Sequence, residues 1–352
     1  MGHRIIIMAG GTGGHVFPAL AVAQYLSAKE WEVSWVGTRR GMESRVVPEN
    51  GIEIDWLSVE GLRGKGLGAM ISNLRFLLKS LWQAMKILRK RKPNVVLGMG
   101  GYVAGPGGLM ASLLGIPLVI HEQNRIPGTT NKLLEKKANK VLEAFPQSFL
   151  PHVNAIFTGN PLRKHFLGFP EKEYWTEETE RDFRILVVGG SQGAKILNDV
   201  VPVAAAKMEN IEIKHQTGTA SLELVSNKYE GLDIEATATE FIEDIASAYQ
   251  WADLVICRAG AMTVSEIAAA GLPSILIPLP HAIDDHQTAN ARYLVDAGAG
   301  VLLPQDQLSD VTLIMAINEI KNSIEQMSIA AATQAKLDAT EVVANICIQE
   351  AA

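Results

Sequence analysis

An α/β protein built as two similar halves, each a parallel sheet with helices on both faces, is the architecture that this 352-residue chain predicts. Three observations carry that expectation. An apolar run, Ile5–Ile6–Ile7, leads into Met8–Ala–Gly–Gly–Thr–Gly–Gly–His15, and Pro18 with the residues from Ala19 to Ala28 then favours a helix. Strand, glycine turn and helix put backbone N–H groups and a helix N-terminus at one point. The same plan returns at Ile185–Val188, Gly189–Gly–Ser–Gln–Gly193 and Ala194–Leu197. Around both, short apolar runs alternate with helical stretches, as a parallel sheet requires. One Gly-Gly turn serves as a structural corner as readily as a ligand loop; two, each opening a half, favour anion binding or close ligand approach.

In the first half the strands are expected at Arg4–Met8, Glu32–Val36, Asn94–Leu97, Leu118–His121, Lys140–Glu143 and Ala155–Phe157. Ligands of such sheets bind beyond the carboxyl ends of the strands. The informative residues are therefore Gly10–His15, Gly98–Tyr102 and His121–Asn124. Thr158–Arg163 reads as the hinge, and the polar stretch Phe169–Asp182 as a surface linker. The second half repeats the scheme near Arg184–Val188, Glu212–Gln216, Asp233–Ala236, Leu254–Cys257, Ser274–Ile277 and Gly300–Leu303, with helix from Gln307 onward. The final stretch, 338–352, is free to pack back on the first half.

A composition 47% hydrophobic and 20% charged suits large α/β cores, and a net charge of −6 argues against a general nucleic-acid binder. Cys257 and Cys347 have no zinc spacing and form no disulfide framework, which fits a reducing compartment. The short apolar run near the start breaks into glycines, unlike a signal peptide. Val95–Ile120 is uncharged over 26 residues, yet its seven glycines and two prolines make it strand, loop, helix and strand, not a membrane span. The first loop lacks the third glycine of a dinucleotide fingerprint, since Val16 stands there, and Gly37–Thr–Arg–Arg40 has no acid for a ribose. No Gly-x4-Gly-Lys-Ser/Thr, Gly-x-Ser-x-Gly or His-Glu-x-x-His occurs.

Gly61–His121 contains no acidic residue and nine basic ones, all between Arg63 and Lys92. Leu67–Arg91 has helical period. Arg75, Lys79 and Lys86 line one border of its apolar stripe, with Ile71, Leu78 and Trp82 nearest that border. Two readings stand: a core-packed helix with solvated lysines, or a surface helix set on anionic lipid.

The densest motif is Cys257–Arg–Ala–Gly–Ala–Met–Thr–Val–Ser–Glu–Ile–Ala–Ala–Ala–Gly–Leu–Pro273. It predicts a strand end, a small-residue loop and a helix with Thr263 near its start and Glu266 in its first turn. Glu266 either completes a capping box with Thr263 or accepts two vicinal hydroxyls. His281–Gln287 offers weak metal donors, or a helix N-cap in Asp284–Asp285; Gln287 and Asn290 can hydrogen-bond a sugar.

Seven stretches run in order over nearly the whole chain: MAGGTGGHVFP at Met8–Pro18, GLRGKG at Gly61–Gly66, GMGGYVAGP at Gly98–Pro106, HEQN at His121–Asn124, GNPLR at Gly159–Arg163, GGSQG at Gly189–Gly193 and RAGAMTVSEIAAAGLP at Arg258–Pro273. Together they resemble the bacterial transferases that add N-acetylglucosamine to lipid I, making lipid II for peptidoglycan. The resemblance implies a GT-B fold of two Rossmann-like domains facing a cleft, an inverting mechanism and no metal or other cofactor. It implies an acceptor- and membrane-associated domain over 1–162, rejoined by 338–352, and a UDP-GlcNAc-binding domain over 163–337. It places Ser191 on the diphosphate and Arg163 near the nucleotide. The Ile242 backbone goes to uracil; Ala261, Met262, Thr263, Val264, Ser265 and Glu266 go to phosphate and ribose; Gln287 goes to the sugar. On the cleft side of the first half it gives Thr12, Gly13, Gly14 and Asn124 to UDP-GlcNAc as well, with Gly101 and Tyr102 towards the acceptor. The partners so implied are UDP-GlcNAc, undecaprenyl-linked lipid I and an anionic membrane surface at the cytoplasmic face of the inner membrane, with no nucleic acid.

A transfer to a hydroxyl needs a base. His15 is the first candidate and Glu122 the second, each at a loop end. The rival readings are a transferase for another lipid acceptor, a nucleotide-sugar epimerase of the same fold, an NAD dehydrogenase and a non-catalytic nucleotide-sugar binder.

Overall fold

The computed structural model describes the backbone of residues 2–59, 67–170, 174–190, 193–280 and 283–352, and their side chains except at 67–75 and 283. The chain forms two compact units, Met1–Lys164 with Lys336–Ala352, and His165–Ala335. The boundaries expected from the sequence were 162–163 and 337–338.

In the first unit seven strands form one sheet: β1 (Arg4–Met8), β2 (Glu32–Gly37), β3 (Glu53–Trp56), β4 (Val95–Gly98), β5 (Leu118–Glu122), β6 (Lys140–Glu143) and β7 (Ile156–Phe157). Their order is β3-β2-β1-β4-β5-β6-β7, and the pairs are parallel. The helices between them are α1 (Gly13–Ala28), α2 (Glu43–Glu49), α3 (Leu67–Arg91), α4 (Ala104–Leu113) and α5 (Thr129–Leu134). Side chains of a strand alternate between faces, and β1 uses both. Ile5 and Ile7 pack with Val16, Val22 and Leu26 of α1, while Ile6 and Met8 pack with Ala84 and Leu88 of α3 and Ala104 and Ala111 of α4. β3 was not expected. Its Ile52-Glu-Ile54-Asp-Trp56 alternation carries the signal, but it is a four-residue edge strand with two acids.

The second unit has β8 (Phe183–Val188), β9 (Ile211–Gln216), β10 (Glu235–Thr239), β11 (Leu254–Cys257), β12 (Ser274–Leu276) and β13 (Gly300–Leu302), in the order β10-β9-β8-β11-β12-β13. Its helices are α6 (Lys195–Ala205), α7 (Leu222–Tyr229), α8 (Ile245–Trp251), α9 (Ala261–Ala269), α10 (His286–Val295), α11 (Asp310–Lys321) and α12 (Ile324–Thr333). Ile185 and Val187 pack with Leu197 and Val201 of α6 and with Leu313 and Ile317 of α11. Asp253, 2% exposed, takes two bonds from the Arg181 guanidinium and one from the Arg184 N–H. That pairing anchors the unit's first strand to the turn before β11. β10 lies later than the expected Asp233–Ala236, because parallel register with β9, Glu235 opposite Glu212 through Thr239 opposite Gln216, decides its limits.

The last helix, α13 (Ala339–Glu350), returns to the first unit, where Val343, Ala344 and Cys347 join the core under α1. In each sheet the strand order reverses once, between β1 and β4 and between β8 and β11. Chains leaving neighbouring strands there diverge and open a crevice at the carboxyl edge.

Candidate active site

The first switch point is built from three loops. After β1, Gly11 takes φ +96 and Thr12 occupies the N-cap of α1 with no side-chain cap bond, so the helix presents its N-terminal N–H groups at Gly13 and Gly14. After β4, Gly101 takes φ +77, and a Cβ there would lie 2.4 Å from the Gly10 carbonyl oxygen. Glycine at 101 is thus required by the packing of one loop on the other. Gly100 faces His15: a Cβ on it would come within 2.8 Å of Cδ2 and 3.0 Å of Nε2. His15 sits in the first turn of α1, half-buried, and its Nδ1 is buried without a hydrogen-bond partner among the described residues. Burial pushes the imidazole below its ordinary value near 6.5; Glu122, the Gly10 carbonyl and Glu43 pull the other way. A ring kept neutral near pH 7 is able to accept a proton.

The third loop follows β5. His121 is fully buried, with Nε2 3.0 Å from the Gly159 carbonyl and Nδ1 3.0 Å from Gln123 Nε2. Burial holds its imidazole neutral, down to about 4, so Nε2–H donates to the carbonyl and Nδ1 accepts from the amide. Glu122 is 3% exposed. Its Oε1 accepts from the backbone and side-chain amides of Asn124, and its Oε2 from Gly128 N–H and Asn131 Nδ2. Four donors on two oxygens shape the loop and occupy the acceptor capacity that a base would need.

A cavity of about 660 Å3 opens in the same unit, lined by Gly11, Thr12, Thr38, Arg39, Arg40, Gly41, Trp56, Leu57, Ser58, Val59, Phe76 and Tyr102. The Arg39 guanidinium lies 5.1 Å over the Trp56 ring, and Tyr102 is 65% exposed. A second hollow, about 780 Å3, lies at Tyr174–Glu177 and Asn318–Gln326 in the other unit, away from the switch-point loops. Phe76 also begins an outward strip of α3. Ser80, Ala84 and Leu88 face the core, whereas Phe76, Leu77, Leu78 and Trp82 are 44–58% exposed. Lys79 and Lys86 flank the strip, Lys86 with Nζ 5.5 Å over Trp82. The core-helix reading is therefore wrong for Leu78 and Trp82. Ile71 and Arg75 lie outside the residues whose side chains are described, as does the whole of Gly61–Gly66.

In the second unit the glycine loop after β8 is described at Gly189, Gly190 and Gly193; Ser191 lies outside the described residues. Gly193 takes φ +72 against the Thr217 carbonyl, where a Cβ would approach to 1.9 Å. Gln216, 3% exposed, joins this loop to the next: Nε2 donates to Gly190 O at 2.7 Å, and Oε1 accepts from Ile242 N–H at 3.2 Å. Ile242 therefore has its N–H engaged by Gln216.

The motif after β11 corrects two expectations. α9 starts at Ala261 with Gly260 as N-cap and no capping side chain, so Thr263 is its third residue and Glu266 lies in the second turn. The capping box is not formed, because helical geometry begins two residues before Thr263. Met262, Thr263, Ser265 and Glu266 are half-buried, Ala261 and Val264 buried, and Ser265 donates back to Ala261 O. Arg258 braces this turn with bonds to Ile277 O, Pro278 O and Gln305 Oε1. Gln287 Oε1 accepts from Leu279 N–H, and Asn290 Nδ2 donates to Ala259 O, so Asn290 supports the loop and not a sugar. Asp285 is the α10 N-cap residue, held by the Thr288 hydroxyl. Arg163 falls in the first unit, its guanidinium 5.0 Å over the Phe17 ring. Among the described residues no group of three metal-ligating side chains is found.

The family model of the glycosyltransferase family 28 N-terminal domain matches residues 5–143, and that of the C-terminal domain matches 184–345. The chain belongs to glycosyltransferase family 28. A relative from Methylococcus capsulatus is 56% identical, with 100% of this chain and 99% of that one covered; one from Shewanella violacea is 49% identical over 98% and 96%. Both are named UDP-N-acetylglucosamine–N-acetylmuramyl-(pentapeptide) pyrophosphoryl-undecaprenol N-acetylglucosamine transferase. A crystal structure of Acinetobacter baumannii MurG is 38% identical, covers 99% of each chain and has a TM-score of 0.85. The kitacinnamycin glycosyltransferase, 17% identical with a TM-score of 0.73, shares the fold. The GT-B architecture is that of this family, and the dehydrogenase reading falls with it; the epimerase reading, which shares the fold, is disfavoured by the glycosyltransferase family match and the relatives' transferase name. Sequence reasoning missed Glu43, Gln216 and Arg258 as loop organisers. Only Arg258, inside a dense motif, carried a local signal.

Proposed function

We infer that this chain moves N-acetylglucosamine from UDP-GlcNAc to the C4 hydroxyl of undecaprenyl-pyrophosphoryl-N-acetylmuramyl-pentapeptide. The observation that carries the reading is 56% identity over the whole chain to a transferase of that name. The acceptor oxygen attacks C1 of the sugar from the face opposite the diphosphate. The O–C1 bond forms, the C1–O bond to phosphate breaks, the configuration inverts, and UDP leaves. His15 takes the acceptor proton, supported by its neutral ring and its place in the first turn of α1, at the end of the first glycine loop. Glu122, saturated by four donors, keeps the loop and the local negative charge. The leaving diphosphate is met by the glycine loop after β8 and the α9 N-terminus. Arg39, Arg40 and Tyr102 suit the anionic acceptor, and the exposed strip of α3 rests on an anionic bilayer at the cytoplasmic face. Among the described residues no helix is long and apolar enough to cross a membrane.

The test is UDP release from UDP-GlcNAc with and without a lipid I analogue. Release that requires the acceptor supports transfer, and release indifferent to it would remove the acceptor assignment. Activity should persist in a chelator; loss restored by manganese or magnesium would promote Asp284, Asp285 and His286 to ligands. Glu266→Ala deletes a charged acceptor of ribose hydroxyls and should weaken UDP binding by about 1.5–3 kcal/mol. Unchanged calorimetric affinity would end that assignment.

A further inference from the structure

Glu43 is the one fully buried carboxylate on α2, and nothing in the reaction as described uses it. It is 0% exposed. Oε2 accepts from Gly11 N–H at 2.9 Å, and Oε1 accepts from both Thr38 N–H and Thr38 Oγ1 at 2.8 Å. All three partners are donors, which suits an ionised carboxylate and not an amide. Three glycines make the room. A Cβ at Gly10 would lie 2.7 Å from Oε1, at Gly37 2.6 Å from Cγ, and at Gly41 2.0 Å from Oε2. Gly37 and Gly41 thus serve a carboxylate that enters from six and two residues downstream, and that carboxylate clamps the β1 loop to the β2 loop.

We propose that Glu43 is a positioning residue for catalysis: its carboxylate holds the first glycine loop in the shape that presents His15, and its charge stands behind that ring. The proposal rests on the general-base reading of His15. The charged groups acting on His15 are Glu122, from the β5 loop, and Glu43, from α2; both favour its protonated form, Glu122 the more strongly. Removing the Glu43 charge should therefore lower the pH at which His15 protonates.

The experiment is the pH profile of kcat for Glu43→Gln, Glu43→Asp and Gly41→Ala, with UDP affinity measured alongside. In Glu43→Gln an amide N–H must face Gly11 N–H or Thr38 N–H. kcat should fall by up to ~10²-fold, as for a misplacement near 1 Å, and the acid limb should move to lower pH. Glu43→Asp keeps the charge, so kcat should fall with the acid limb in place. Gly41→Ala displaces the carboxylate without touching its chemistry and should lower kcat likewise. UDP affinity, whose diphosphate, ribose and base contacts are assigned mainly to the other unit, should stay within about twofold. Parental kcat in Glu43→Asp and Gly41→Ala, or an unmoved acid limb in a folded Glu43→Gln, would overturn the proposal. If Glu43→Gln does not fold, the other two variants decide. His15→Ala in the same assay separates the two ideas: retained kcat there defeats the base reading, whereas lost kcat beside parental Glu43 variants defeats the role of Glu43 alone.

Discussion

His15→Ala is expected to lower kcat by about 10²–10⁴-fold, the usual contribution of a positioned general base. UDP affinity should hardly change, because the donor contacts proposed for the second unit do not include His15. The pH dependence gives the sign. The base works only when neutral. Burial depresses its affinity for a proton below the ordinary value near 6.5, against the opposing pull of Glu122, Gly10 O and Glu43. The acid limb of the parent enzyme should therefore fall below pH 6.5, with activity present above it and lost as pH drops through it. In His15→Ala that limb should vanish. Steady-state rates from pH 5 to 9 check this. A kcat within threefold of the parent would take the proton from His15. Glu122→Ala does not decide the matter by itself, since it strands the amides of Asn124, Gly128 and Asn131 and unravels the loop.

Replacing Arg75, Lys79 and Lys86 together by Gln should weaken binding to anionic phosphatidylglycerol vesicles by about 1 kcal/mol per charge, about 3 kcal/mol in all. That is a drop of ~10²-fold in affinity. The loss should shrink as salt rises, because surface charges are screened within about 8–10 Å at physiological ionic strength. Turnover of a soluble acceptor analogue should survive, which separates membrane contact from chemistry. Residual affinity would come from the apolar strip of Phe76, Leu77, Leu78 and Trp82. Flotation with sucrose-loaded vesicles measures it, and unchanged binding in the triple variant would return these lysines to an ordinary solvated face.

The strands and loops were legible where the signal is local. β1 and β6 have the limits expected from the sequence, Arg4–Met8 and Lys140–Glu143, and α3 spans the predicted Leu67–Arg91. The edge strands β3 and β10 were missed or misplaced, because an edge strand is half polar and takes its limits from its neighbour's register. Glu266 was set one turn too early, because Gly260 caps α9 by backbone conformation and leaves no side-chain signature. The helix at Val95–Ile120 was separable from a membrane span by its glycines and prolines alone.

By itself the sequence determined the α/β class, the two glycine loops, the basic helix and the family, because strand period, turn residues and motif order are written over short distances. Tertiary structure decided what the polar side chains do. Glu43 reaches Gly11 across 32 positions, Gln216 joins Gly190 to Ile242 across 26 on either side, and Gly101 is glycine because the Gly10 carbonyl lies where its Cβ would be. A buried donor or acceptor must find a partner. Which partner it finds depends on strand order, and strand order is set by the packing of whole sheets and not by neighbours in sequence.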